Sequence, residues 1–68
     1  MDKSDFGEIL KSYRFAQKLK QSEVAEKVGV SQQCVSEWEN SGTEPTLTYL
    51  CRLADLFNVN IDDLVGRK

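Results

Sequence analysis

The chain has 68 residues and a net charge of −2, and it contains two cysteines and no histidine. A single domain of this size buries only about 60% of the surface that its unfolded chain exposes, so stability must come from efficient helix packing or from association. Without a CxxC pair, a histidine, a signal peptide or an apolar run of about 20 residues, the sequence predicts no zinc site, no membrane span and free thiols in a reducing cytoplasm.

Apolar residues recur at helical spacing from the start of the chain. A first helix is predicted from about Asp5 to Lys18, with an apolar face made of Phe6, Ile9, Leu10 and Tyr13. A second helix is predicted from about Gln21 to Val28, burying Val24, Ala25 and Val28. It ends at Gly29, because glycine adopts the left-handed conformation after a helix most easily.

Three more helices are predicted in the second half of the chain. Ser31 is a suitable N-cap for a third helix that frays near Asn40 and buries Cys34, Val35 and Trp38. Pro45 and Thr46 open a fourth helix, whose apolar stripe comprises Leu47, Leu50, Cys51, Leu53, Ala54 and Phe57. Asn60 caps a last short helix that carries Ile61, Leu64 and Val65. The prediction is an all-α chain of five helices with short connections.

The outer face of the third helix is neutral and rich in hydrogen-bonding groups. At about 100° per residue, one arc of the helix holds Gln32, Gln33, Ser36 and Asn40, opposite the apolar arc. Solvated helix faces usually carry Lys and Glu instead. A glutamine amide both donates and accepts, which matches adenine N6 and N7 in the major groove of DNA. A merely polar exposed face remains the alternative.

The net charge of −2 argues mildly against nucleic-acid binding, because domains that bind nucleic acid are usually basic. Its distribution softens that objection, because the segment from Ile9 to Gln33 is positive and the remainder is negative. The basic residues of the first segment are Lys11, Arg14, Lys18, Lys20 and Lys27, against Glu23 and Glu26.

The segment from Gln21 to Asn40 has the arrangement of a helix-turn-helix, with a small Ala25 where the helices meet and Gly29 in the turn. The chain resembles the Cro/phage-repressor type (XRE family) of helix-turn-helix domains through QSEVAEKVGVSQQCVSEWEN, Pro45-Thr46-Leu47 and LADLFNVNIDDL. The resemblance runs from about Phe6 to Val65. It implies a compact five-helix lambda-repressor-like fold, a single domain over residues 1–68 with its motif at about 21–40.

The resemblance also implies sequence-specific binding of double-stranded DNA by a transcriptional regulator, with the third helix in the major groove. The expected base-reading residues are Gln32, Gln33 and Ser36. Gln21 and Asn40 match positions that contact phosphate, although Gln21 could simply face solvent and Asn40 could cap its helix. Lys20 stands where the family usually has a Ser/Thr cap, and it could meet a phosphate instead.

Arg14 and Glu39 match family positions that form a partly buried ion pair; the alternative is two independent solvated charges. Operator recognition by a two-fold dimer implies an inverted repeat with half-sites one helical turn apart. The expected homodimer surface lies on the last two helices and includes Tyr49, Leu56 and Val65, although plain core packing also accounts for Leu56.

The sequence predicts neither a cofactor nor an enzyme. It contains no histidine and no clustered carboxylates that could activate Ser31, Ser36 or either thiol. The serious alternative to a regulator is a protein-interaction module of the same fold, such as an antitoxin or adaptor, which an acidic chain would suit.

Overall fold

A computed structural model describes residues 5–66 of the chain, and within that range every regular element is an α-helix. The helices are α1 (Asp5–Ala16), α2 (Gln21–Val28), α3 (Gln32–Asn40), α4 (Leu47–Phe57) and α5 (Ile61–Val65). This architecture confirms the predicted all-α, five-helix class.

One apolar core joins all five helices. It consists of Phe6, Leu10, Val24, Ala25, Val28, Val35, Trp38, Leu53, Ala54, Phe57 and Leu64. α1 packs on α3 and α5, α2 packs on α3 and α4, and α4 packs on α5. The rings of Tyr13 and Phe57 stack with their centroids 5.7 Å apart, which ties the end of α1 to the end of α4. Burying each large apolar side chain contributes about 1.5 to 3 kcal/mol, and the fully buried Leu10, Leu53 and Leu64 each contribute on that scale.

Local capping chemistry confirms several boundaries predicted from the sequence. Gly29 is left-handed with φ of 92°, and its N–H donates to the Ala25 carbonyl. The Ser31 hydroxyl accepts a hydrogen bond from the N–H of Cys34 at 3.1 Å, which makes it the N-cap of α3. Asn58 ends α4 in the left-handed conformation with φ of 60°. Each of these signals depends on residues no more than four positions apart in sequence.

Two predicted boundaries are wrong by one or two residues. α1 ends at Ala16 rather than at Lys18, because Lys18 itself is left-handed with φ of 58° and turns the chain out of the helix. α4 begins at Leu47, with Thr46 in the N-cap position and no cap bond from its side chain.

The predicted apolar stripe of α4 is too wide. Leu47 is 66% exposed and Cys51 is also exposed, whereas Leu53 and Phe57 are buried. At about 100° per residue, Leu47 and Cys51 lie past Ala54, on the edge of the helix that faces away from the core. Their apolar character alone could not reveal this.

Candidate nucleic-acid interface

Helices α2 and α3 pack against each other and are joined by the short turn at residues 29–31. Ala25 is buried where the two helices meet, so its small side chain allows close approach. On α3, Val35 and Trp38 point into the core and fix the rotation of the helix. The opposite side of α3 is therefore turned outward.

The outward side of α3 holds the residues predicted to read bases. Gln32 and Gln33 are exposed, and Ser36 is half-buried. Asn40 is exposed, and its Nδ2 donates to the Ser36 carbonyl at 3.0 Å. Nδ2 also donates to Ser36 Oγ at 3.4 Å, so the side chain is tied to its own helix, as the capping interpretation expected, and its amide oxygen is left for another partner.

Arg14 on α1 and Glu39 on α3 form a buried ion pair. Arg14 Nε lies 2.6 Å from Glu39 Oε2, and Arg14 Nη2 donates to Glu39 Oε1 at 3.0 Å. The Glu39 side chain is fully buried and that of Arg14 is 10% exposed. Arg14 Nη1 also donates to the Leu19 carbonyl at 3.0 Å. The pair therefore joins α1, the α1–α2 turn and the end of α3.

Gln21, the first residue of α2, is connected to this ion pair. Its Nε2 donates to Glu39 Oε1 at 3.1 Å, and the side chain is half-buried. A carboxylate only accepts hydrogen bonds, so the nitrogen of the amide must face Glu39. The contact determines which way the Gln21 amide points, and it leaves the second N–H of that amide without a partner among residues 5–66.

Lys20 occupies the N-cap position of α2, and its side chain makes no cap bond. Its backbone N–H donates to Glu23 Oε1 at 2.7 Å, which is half of a capping box. A lysine has no acceptor atom and cannot complete the box, as the sequence predicted. Lys18 and Lys20 are both exposed, so two ammonium groups lie on the turn that precedes the N-terminus of α2.

Acidic residues lie close to the same surface. Glu37 is exposed on the outward side of α3, and Glu44 is exposed in the loop that follows. The last turn of α3 carries no basic residue. Because few cations on the described surface could neutralise phosphates, we expect the electrostatic part of any DNA affinity to be modest.

Sequence reasoning missed two residues that position these helices. A Cβ atom on Gly7 would lie 2.5 Å from the carbonyl oxygen of Glu39, so only glycine lets α1 approach the end of α3 this closely. Arg52 Nη1 donates to the Val28 carbonyl at 2.9 Å and ties α4 to the end of α2. An isolated glycine inside an amphipathic helix is a usable signal of such packing. The Arg52 contact has no comparable local signal.

Other kinds of site are not evident in the part of the chain that the structure describes. Residues 5–66 contain no group of three or more Cys, Asp and Glu side chains placed to hold a metal ion. Among the same residues no helix is long and apolar enough to cross a membrane.

Comparison with known proteins agrees with this geometry. A family model described as Helix-turn-helix matches residues 10–64. The HTH-type transcriptional activator BcrR of Enterococcus faecalis is 33% identical over 62 residues, which are 91% of this chain and 30% of BcrR. The chain therefore spans less than a third of that relative.

Two further proteins match over most of their length. The uncharacterized HTH-type transcriptional regulator MJ0272 of Methanocaldococcus jannaschii is 36% identical over 55 residues, 81% of this chain and 83% of that protein. The crystal structure of the P22 c2 repressor in complex with a synthetic operator superposes with a TM-score of 0.86 at 32% identity. That match covers 93% of this chain and 96% of the repressor chain.

Proposed function

The chain belongs to the Cro/phage-repressor (XRE) type of the helix-turn-helix family of DNA-binding transcriptional regulators, and we propose that it reads a specific operator through α3. The observation that carries the proposal is the outward face of α3, where uncharged amides are exposed while Val35 and Trp38 hold the helix rigidly from behind. Such relatives favour a regulator over the protein-interaction module that the sequence left open. This role involves binding and no catalysed reaction.

In the proposed complex, Gln32, Gln33 and Ser36 reach base edges in the major groove. A glutamine amide can pair with adenine N6 and N7, and a good bidentate pair is worth about 1 to 3 kcal/mol of discrimination. Ser36 lies one turn further along α3 and contacts a neighbouring base or a thymine methyl. The rigid packing of α3 supports this role, because base reading requires side chains on a fixed scaffold.

The phosphate contacts in this proposal come from residues on either side of the reading face. Lys20 supplies an ammonium group beside the start of α2, and Gln21 supplies the N–H that Glu39 leaves free. Asn40 reaches a phosphate at the end of α3 by exchanging the 3.4 Å contact of its Nδ2 with Ser36 Oγ for a phosphate oxygen. Phosphate contacts fix the orientation of the domain on the duplex and carry no sequence information themselves.

We further propose that two copies bind an inverted repeat as a homodimer. Tyr49 and Leu56 are half-buried on one edge of α4, and Val65 is half-buried at the end of α5. This partly exposed apolar surface suits a self-complementary two-fold contact. Two α3 helices would then enter successive major grooves about 34 Å apart. Sedimentation that shows only monomer at high micromolar concentration would exclude the homodimer. Because a transcriptional regulator must reach the DNA, we also propose that the protein is cytoplasmic.

The decisive experiment selects binding sites from random duplex DNA with the purified chain and repeats the selection with Gln33→Ala. We expect the variant to lose preference at one base pair in each half-site without any change in thermal stability. Gln17→Ala is the matched control, because Gln17 is an exposed glutamine outside α3. A Gln33→Ala variant that keeps the full sequence preference of the parent would contradict the assignment.

A further inference from the structure

Glu37 lies beside Gln33 at one edge of the outward face of α3, where an acidic residue is unexpected for a surface that meets DNA. At about 100° per residue it is only about 40° from Gln33 around the helix, whereas Gln32 is about 140° away in the same direction. Glu37 is exposed. The rotation of α3 that exposes Gln33 therefore presents the Glu37 carboxylate to the same groove.

The side chains of Gln33 and Glu37 contact each other. Gln33 Nε2 donates to Glu37 Oε2 at 3.4 Å, one helical turn apart. Because a carboxylate only accepts hydrogen bonds, the contact turns the nitrogen of the Gln33 amide toward Glu37. The second oxygen of Glu37 remains available as an acceptor.

A carboxylate on this face requires a hydrogen-bond donor from the DNA. Phosphates repel it, and among residues 5–66 Glu37 forms no ion pair that would neutralise its charge. In the major groove only cytosine N4 and adenine N6 donate, and guanine and thymine present acceptors. Adenine places the N7 acceptor directly beside N6, so a carboxylate facing adenine meets a second lone pair. Within cytosine the neighbour of N4 is C5–H, which is not an acceptor, and the nearest acceptor is guanine O6 across the base pair.

We propose that Glu37 is a further specificity-determining residue, which selects cytosine by accepting a hydrogen bond from N4 and holds the Gln33 amide in one orientation. This inference rests on the proposed function, because it requires α3 to lie in the major groove. In this proposal Glu37 helps to select the DNA sequence. A simple count of charges would predict only that its carboxylate repels the phosphates.

The test compares the parent with Glu37→Gln and Glu37→Ala. After selection from random duplexes, equilibrium binding is measured on duplexes that differ only at the base pair whose preference changes. We expect the parent to prefer cytosine there by about tenfold or more, Glu37→Ala to lose that preference, and Glu37→Gln to prefer adenine, since its amide matches N6 and N7. Glu26→Gln is the control, because it removes one negative charge from an exposed position on α2.

The outcomes separate this inference from the function on which it rests. If the parent selects no sequence at all, the proposed function fails and the inference fails with it. If the parent selects a site but both Glu37 variants keep its base preference, only the role of Glu37 is wrong. If all the Glu37 variants and Glu26→Gln bind every duplex more tightly by the same factor, the carboxylate acts only by repulsion, which also overturns the inference.

Discussion

The most consequential perturbation of the fold is Arg14→Met, which removes one member of the buried ion pair. The variant leaves the fully buried Glu39 carboxylate with Gln21 Nε2 as its remaining side-chain donor. It also removes the bond from Arg14 Nη1 to the Leu19 carbonyl. Breaking a buried pair on one side costs about 3 to 5 kcal/mol, because the other charge stays in a site that excludes water.

That loss is large for this chain. At about 0.05 to 0.15 kcal/mol per residue, a domain of 68 residues has a total stability of about 3 to 10 kcal/mol. With a urea m-value of about 1 kcal/mol/M, the midpoint of unfolding should fall by about 3 M or more. A parent whose stability is at the lower end of that range would be partly or wholly unfolded without denaturant after this loss.

The assay is urea unfolding followed by the fluorescence of Trp38, which is buried in the core. Lys27→Met is the control, since it removes an exposed positive charge from α2 and should change stability by less than about 0.5 kcal/mol. Combining Arg14→Met with Glu39→Met should recover part of the loss, because no buried charge then remains unpaired. Equal midpoints for Arg14→Met and the parent would show that the pair does not stabilise the fold.

Three further predictions address the turn, the helix contact and the DNA surface. Lys18→Gly should raise the free energy of unfolding by about 1 kcal/mol, since Lys18 is left-handed with φ of 58°; an unchanged melting temperature would contradict this. Gly7→Ala should lower the free energy of unfolding by about 1 to 3 kcal/mol, because its Cβ would lie 2.5 Å from the Glu39 carbonyl oxygen. A variant that unfolds at the same urea concentration as the parent would refute the packing argument. Lys20→Ala should weaken binding to all duplexes alike and lower the salt slope by about one, and a change confined to one base pair would instead indicate base contact.

The sequence by itself determined the helices and the side of α3 that faces outward. Helical periodicity placed Phe6, Leu10, Val35 and Trp38 in the core, because residues three and four apart share a face of a helix whatever surrounds it. Ser31 predicted the start of α3 for the same reason, since a cap bond joins residues three positions apart.

Apart from the Arg14–Glu39 pair, which the family resemblance implied, contacts between residues distant in the chain were decided only by the tertiary structure. Sequence patterns could not reveal that Gln21 donates to Glu39, or that Arg52 donates to the Val28 carbonyl. Nor could they show that Leu47 is exposed, since an apolar residue at the edge of a stripe is buried only if a neighbouring helix covers it. Each of these outcomes depends on how the helices pack against one another, and local periodicity carries no information about the distance between helices.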